Sequence, residues 1–285
     1  MSQIPLVIDN PHDMRAYSVA ARAAGQRIGL VPTMGALHQG HLSLLEYTAQ
    51  HCQSLVVSIF VNPLQFNQQE DLDKYPRTLA RDLELCAGPG TDVVYAPTVT
   101  AMYPHGFQTT VSVAQVTQGL CGAHRAGHFD GVTTVVLKLF NAVLPHVAAF
   151  GEKDFQQLQV IKRMALDLDL GLEVVGRQTV RESDGLAMSS RNVRLSPQER
   201  QQALCLWRGL NRARSLARAG EHQSQLLRDA ALAEINAYPG TRVEYVEIVD
   251  STTLEPLASL NEHRARMVMA VWVGGTRLID NMALN

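Results

Sequence analysis

Through the first 180 residues, short apolar runs rich in β-branched residues alternate with longer stretches whose apolar positions recur every three or four residues. The runs Ile28–Pro32, Leu55–Val61, Asp92–Ala96 and Val147–Phe150 have the length and composition of buried strands. Leu42–Gln50, Leu79–Ala87, Val132–Val143 and Phe155–Leu170 carry the helix period between and after them. Strand and helix in alternation predict an α/β domain, a parallel sheet covered on both faces, with ligands gathered beyond the carboxyl ends of its strands. After Arg181 the pattern changes. A polar loop leads to two helical stretches, Pro197–Ala219 and Ser224–Ala237, and then to the strand-like runs Arg242–Val249 and Met267–Val273. These predict a smaller α+β unit with antiparallel strands, so the expected domains are residues 1–180 and 181–285.

Composition narrows the possibilities. A chain of 285 residues, 46% hydrophobic, is long enough for a core and near the length at which single cores divide. With a formal net charge of −2 it lacks the excess of Lys and Arg that binding to a phosphate backbone requires, so no nucleic-acid partner is expected. Cys52, Cys86, Cys121 and Cys205 form no CxxC pair, which fits scattered thiols in a reducing cytoplasm. Met1–Asn10 has neither a basic segment nor an apolar run of the leader type, and no stretch reaches the roughly 20 apolar residues of a membrane span. A cytoplasmic protein without membrane contact is expected.

Chemistry concentrates where strands end. Val31-Pro-Thr-Met-Gly-Ala-Leu-His-Gln-Gly-His41 follows one strand and opens a helix. A helix N-terminus offers unpaired N–H donors and partial positive charge, Gly35 and Gly40 allow close backbone approach, and two imidazoles add donors. The segment suits phosphate; the alternatives are two loop histidines or two metal ligands lacking a third partner. Phe60-Val-Asn-Pro-Leu-Gln-Phe66 places Asn62 and Gln65 at the next strand end, either as amides that orient a small hydroxy acid or as an Asn-Pro turn. Gly151-Glu-Lys-Asp154 follows Val147–Phe150, and Lys153 is one of only four lysines, an ammonium suited to polyphosphate. Arg181-Glu-Ser-Asp-Gly-Leu-Ala-Met-Ser-Ser-Arg-Asn192 is either a polar linker or a phosphate-gripping loop, in which Ser189, Ser190 and Arg191 meet the charge on a departing pyrophosphate. Asp71, Asp73 and Asp82 are acids of a charged stretch, of which a phosphate-bound magnesium ion needs one or two. Arg125 and His128 precede another helix.

Together, Pro32-Thr-Met-Gly-Ala-Leu-His-Gln-Gly-His41, Phe60–Phe66, Tyr75-Pro-Arg-Thr78, Gly151-Glu-Lys-Asp-Phe-Gln-Gln157 and Leu186-Ala-Met-Ser-Ser-Arg-Asn192 are similar to the hallmark stretches of the pantothenate synthetases, ATP-dependent pantoate–β-alanine ligases of the His-x-Gly-His nucleotidylyl-transferase superfamily. The resemblance runs from about Pro32 to Asp280. It implies a Rossmann-like domain, a smaller C-terminal lid domain and a homodimer. It implies ATP contacts from Met34, Gly35, Ala36, Leu37, His38, Gln39, Gly40 and His41, from Gly151, Glu152, Lys153 and Asp154, and from Val180, Met188, Ser189, Ser190 and Arg191. His41, with His38 beside it, is the implied catalytic proton donor, and Lys153 and Arg191 complete the catalytic set. Gln65 and Gln157, with Asn62 nearby, are implied to hold pantoate, and Asp82 to accompany Mg²⁺. Two positions depart from the family pattern: Arg81 stands where an acid is common, and Asn67 where glycine is common.

The implied reaction runs through pantoyl adenylate, from which β-alanine displaces AMP. Catalysis of that kind rests on positioning and charge cancellation and needs no enzyme nucleophile. The rival readings are an adenylyltransferase that stops after transferring AMP to a phosphate acceptor, a class I aminoacyl-tRNA synthetase, and a non-catalytic ATP sensor.

Overall fold

The computed structural model describes residues 4–260 and 264–285, so Met1–Gln3, part of the N-terminal stretch read for a leader, lie outside the described residues. Contacts divide the chain into two compact units. One takes the described residues up to Thr117, then His124–Glu152 and Gln157–Gln178; the other takes Gln118–Ala123, Lys153–Gln156 and the described residues from Thr179 onward.

The first unit is built on a six-stranded sheet, β1 (Leu6–Ile8), β2 (Ile28–Thr33), β3 (Ser54–Ile59), β4 (Val93–Tyr95), β5 (Val147–Gly151) and β6 (Glu173–Arg177), in the order β1-β4-β3-β2-β5-β6. Every pair is parallel. The inner strands are buried at nearly every position, as a sheet with both faces covered requires, and so they read as unbroken apolar runs. The outer strands β1 and β6 are only partly buried, and the sequence pattern missed both. It also missed the helix Pro11–Ala23, whose start is held by the Asn10 side chain accepting from the Asp13 N–H at 2.9 Å.

The sheet changes direction between β2 and β5, which is where a ligand crevice belongs in an open α/β sheet. The register shows it opening. β2 and β5 share only Gly29↔Val147 and Leu30↔Ala148, while β2 stays paired with β3 through Thr33↔Ile59 and β5 with β6 through Gly151↔Arg177. Pro32, which has no N–H to donate, lies in the stretch of β2 that has parted from β5, and this explains how a proline sits in an inner strand.

In the second unit, three antiparallel strands, β7 (Thr241–Asp250), β8 (Ala265–Val273) and β9 (Thr276–Ala283), lie in the order β7-β8-β9. Met267, Met269, Val271 and Val273 alternate along β8 into one core with Leu206 and Leu210 of the helix Pro197–Arg218 and Leu227 and Ile235 of the helix Ser224–Asn236. The longer helix begins with a capping box, Ser196 with Glu199, followed by Pro197. Strand β9 was not legible in the sequence, because polar Asp280 and Asn281 occupy buried positions along it.

Candidate active site

In the first unit the helix Gln39–Ala49 starts directly beyond β2, and its first turn is capped by its own histidines. Nδ1 of His38 accepts the Gly40 N–H at 3.2 Å, and Nδ1 of His41 accepts the His38 N–H at 3.3 Å. A backbone N–H can only donate, so both Nδ1 atoms are acceptors and each neutral ring carries its proton on Nε2. The rings sit 4.1 Å apart between centroids. The cap thus creates two imidazole N–H donors of set tautomer beside a helix N-terminus, a donor array for an anionic oxygen.

The approach to this turn is strained and braced. Gly35 and Ala36 both have positive φ, 80° and 51°, a conformation that disfavours alanine. The Asp82 carboxylate holds them: Oδ2 accepts the Ala36 N–H at 3.0 Å and the Thr78 hydroxyl at 3.1 Å, and Oδ1 accepts the Leu37 N–H at 2.9 Å. Asp82 is fully buried. A carboxylate closed off from solvent with both oxygens on N–H and O–H donors is poorly suited to hold magnesium; in this structure Asp82 clamps the backbone of the His-x-Gly-His turn. Among the described residues no group of three or more His, Cys, Asp or Glu side chains could hold a metal ion. Beneath Asp82, one helical turn on, burial first and the Asp82 charge second push the Cys86 thiol up to about 12, which leaves it an inert packing group.

Asn62 and Gln65 follow β3, on a short turn begun by Pro63. The structure separates their roles. Asn62 is 1% exposed and both ends of its amide are engaged by protein, one of them by Gln65 itself. Gln65 is only partly buried, and its Nε2 lies 3.2 Å from Met34 Sδ. Its carbonyl is gripped by Arg125 Nη2 at 3.0 Å and by His128 Nδ1 at 2.8 Å, which gives those two residues a bracing function. Asn67, the departure from glycine, bridges to the same segment, donating to the Ala126 carbonyl at 2.7 Å and accepting from Arg125 Nε at 3.3 Å. The helix His128–Val143 reaches the turn because Gly131 has no side chain: a Cβ there would lie 2.4 Å from the Leu64 carbonyl oxygen.

The second unit gathers the remaining phosphate candidates. Lys153 falls with this unit although it follows β5 closely in sequence, and its carbonyl accepts from Asn281 Nδ2 at 2.9 Å. Lys153, Ser189, Arg191, Asn192, Arg277 and Asp280 line one cavity. Val180 and Met188 are joined by a backbone bond of 3.0 Å, closing a hairpin-like loop rather than a loose linker. Arg181 secures that loop, forming a bidentate pair with buried Asp280 at 2.7 and 2.9 Å and stacking 4.2 Å over Trp207. Ser189 caps the following turn by accepting the Arg191 N–H at 3.2 Å. Of the glutamine pair on the helix Phe155–Asp167, Gln156 is engaged with Cys121 N and the Gly119 carbonyl, whereas Gln157 belongs with the first unit. Tyr103 and Arg277 carry no signal in the sequence, because each acts through contacts to residues distant along the chain.

An open parallel sheet with a histidine-capped helix at its switch point places the chain in the class of Rossmann-like α/β proteins that carry a His-x-Gly-His turn. A model of the pantoate-beta-alanine ligase family matches residues 6–283. The pantothenate synthetase of Geobacter sulfurreducens is 54% identical over 278 residues, covering 98% of both chains, and that of Moorella thermoacetica is 53% identical over 95% of each. Among solved structures, a pantothenate synthetase from Thermus thermophilus superposes with a TM-score of 0.93 at 44% identity, over 98% of this chain and 99% of that one. The pantoate-beta-alanine ligase of Francisella tularensis, solved in complex with beta-gamma ATP and beta-alanine, gives 0.82 at 30% identity over 98% of each. The chain belongs to the pantoate–β-alanine ligase family.

Proposed function

We infer that the chain catalyses the ATP-dependent condensation of pantoate with β-alanine, giving pantothenate, AMP and diphosphate. The observation that carries this is the tautomer-locked His38–His41 pair beyond β2, in a chain matched by the family over nearly its whole length. The pantoate carboxylate attacks the α-phosphorus of ATP, and the bond to the bridging oxygen of diphosphate breaks. The amine of β-alanine then attacks the acyl carbon of pantoyl adenylate, loses a proton, and AMP leaves.

Each step moves negative charge, so fixed donors and cations are what the reaction asks of the protein. His38 and His41 supply Nε2–H donors, with His41 as the proton donor. Lys153, Ser189, Ser190 and Arg191 supply an ammonium, two hydroxyls and a guanidinium for the departing diphosphate. Met34–Gln39, Gly40, Gly151, Glu152, Asp154, Val180 and Met188 complete the ATP contacts, and Gln65 and Gln157 hold pantoate. Residues 1–180 serve ATP and pantoate, with residues 181–285 as the second domain. Magnesium comes as the counter-ion of the ATP phosphates, not on Asp82. The enzyme works as a homodimer in the cytoplasm, a compartment suited to its four free cysteines.

Incubation with ATP, magnesium and pantoate tests this directly. Diphosphate should form at about one equivalent per site, and AMP should accumulate only after β-alanine is added. Continuous diphosphate release without the amine would indicate simple adenylyl transfer, and no turnover would indicate a sensor; either outcome overturns the assignment.

A further inference from the structure

Behind Gln65 lies a hydrogen-bond chain whose polarity can be worked out atom by atom. Asn62 has four partners: Oδ1 accepts the Leu64 N–H at 3.3 Å and the Tyr103 hydroxyl at 2.8 Å, while Nδ2 donates to the Gly131 carbonyl at 3.0 Å and to Gln65 Oε1 at 3.0 Å. The two ends of an amide look alike in shape, but a backbone N–H only donates and a backbone carbonyl only accepts. Leu64 and Gly131 therefore fix which end of Asn62 is oxygen and which is nitrogen. Tyr103 adds a second donor at the oxygen end. Burial pushes its phenol pKa up, so it stays protonated, and its ring lies between Phe60 and Phe107 at centroid distances of 6.1 and 5.1 Å. Because Asn62 presents N–H to Gln65, the near end of the Gln65 amide must be its oxygen. The other end, the NH₂, then faces Met34, at the start of the His-x-Gly-His segment.

We propose that Tyr103 and Asn62 are positioning residues that lock the Gln65 amide with its NH₂ outward, and so set the chain to bind a hydrogen-bond acceptor, the carboxylate or a hydroxyl oxygen of a small hydroxy acid. This rests on the pantoate reading of Gln65. A freely rotating amide presents a donor or an acceptor with comparable ease, and a carboxylate is repelled by the second; the lock removes that arrangement. Neither Tyr103 nor Asn62 needs to touch the ligand, which accounts for a completely buried asparagine beneath a substrate-binding glutamine.

Two variants test the lock, read by steady-state kinetics and by calorimetric binding of pantoate. Tyr103→Phe removes one hydroxyl and keeps the ring. It should raise the KM for pantoate about 3- to 10-fold, the usual effect of one hydrogen bond, with the KM for ATP unchanged and kcat within about twofold. Asn62→Asp is nearly isosteric but has no N–H to offer; it should turn the Gln65 NH₂ inward and weaken pantoate binding roughly 10- to 100-fold, again without effect on ATP. An unchanged pantoate KM in Tyr103→Phe, a loss of kcat alone, or an equal rise in both KM values would overturn the proposal, since a purely structural role lowers stability without singling out one substrate. Should Tyr103→Phe not fold, the calorimetric result for Asn62→Asp decides by the same criterion. The wild-type protein separates the two levels: no turnover of pantoate at all would remove the underlying function, whereas normal turnover with an indifferent Tyr103→Phe removes only the lock.

Discussion

At the level of single residues, hydrogen-bond accounting assigns jobs that residue type leaves open. A carboxylate near a phosphate site suggests a metal, yet Asp82 accepts from Ala36, Leu37 and Thr78 and is closed off from solvent. Asp82→Asn keeps the shape but sets an amide NH₂ against one of two backbone N–H groups. A buried donor left without its acceptor costs about 1–3 kcal/mol, so the KM for ATP should rise on the order of 10-fold through displacement of the Gly35–Leu37 backbone. The magnesium concentration at half-maximal rate should not move. A shifted magnesium requirement in Asp82→Asn would restore the metal assignment. Lys153 carries the opposite kind of role, a cation lining a cavity with Ser189 and Arg191. Lys153→Ala should lower the rate of adenylate formation by ~10²-fold, as loss of one transition-state donor commonly does, and diphosphate release in a single turnover measures it. Near-normal adenylate formation would remove Lys153 from the reaction.

Among the elements, the β2–β5 junction has a titratable group built into its amino-terminal end. His146 Nδ1 accepts the Ile28 N–H at 2.9 Å, the His146 N–H donates to the Ile28 carbonyl at 2.8 Å, and its own carbonyl accepts from Glu173 as β6 begins. Burial first, then the Arg22 and Arg27 charges, hold its pKa below the ordinary 6.5. An unfolded chain therefore binds the proton more readily than the folded one. The stability contributed by neutral His146 is fully present above the unfolded pKa and is lost as pH falls through it toward the folded value. The urea midpoint of the wild type should fall between about pH 7.5 and about pH 5.5 by more than that of His146→Asn, whose amide oxygen can accept from Ile28 without titrating. Equal pH dependence in the two proteins would show that His146 contributes nothing to it.

Across the molecule, legibility followed burial. Strands β2 to β5 could be read because a parallel sheet covered on both faces leaves its inner strands almost wholly apolar. β1 and β6 escaped because edge strands are only partly buried, and β9 because Asp280 and Asn281 are polar residues made tolerable by Arg181, Arg266 and Lys153. The His38-to-His41 turn, Gln65, Lys153 and Ser189–Arg191 were legible because their spacing and their place at strand ends are local properties of the chain. The division of labour around them was not. Nothing in the spacing says that Asp82 reaches back 46 residues to the Ala36 N–H, or that Tyr103 reaches 41 to Asn62. The α/β alternation, the family and the inventory of reactive groups were set by local order along the chain, since periodicity and motif spacing act over a few residues. Which polar groups remain available to a ligand was settled by folding alone, because a side chain whose donors and acceptors are engaged by distant backbone has none left to offer.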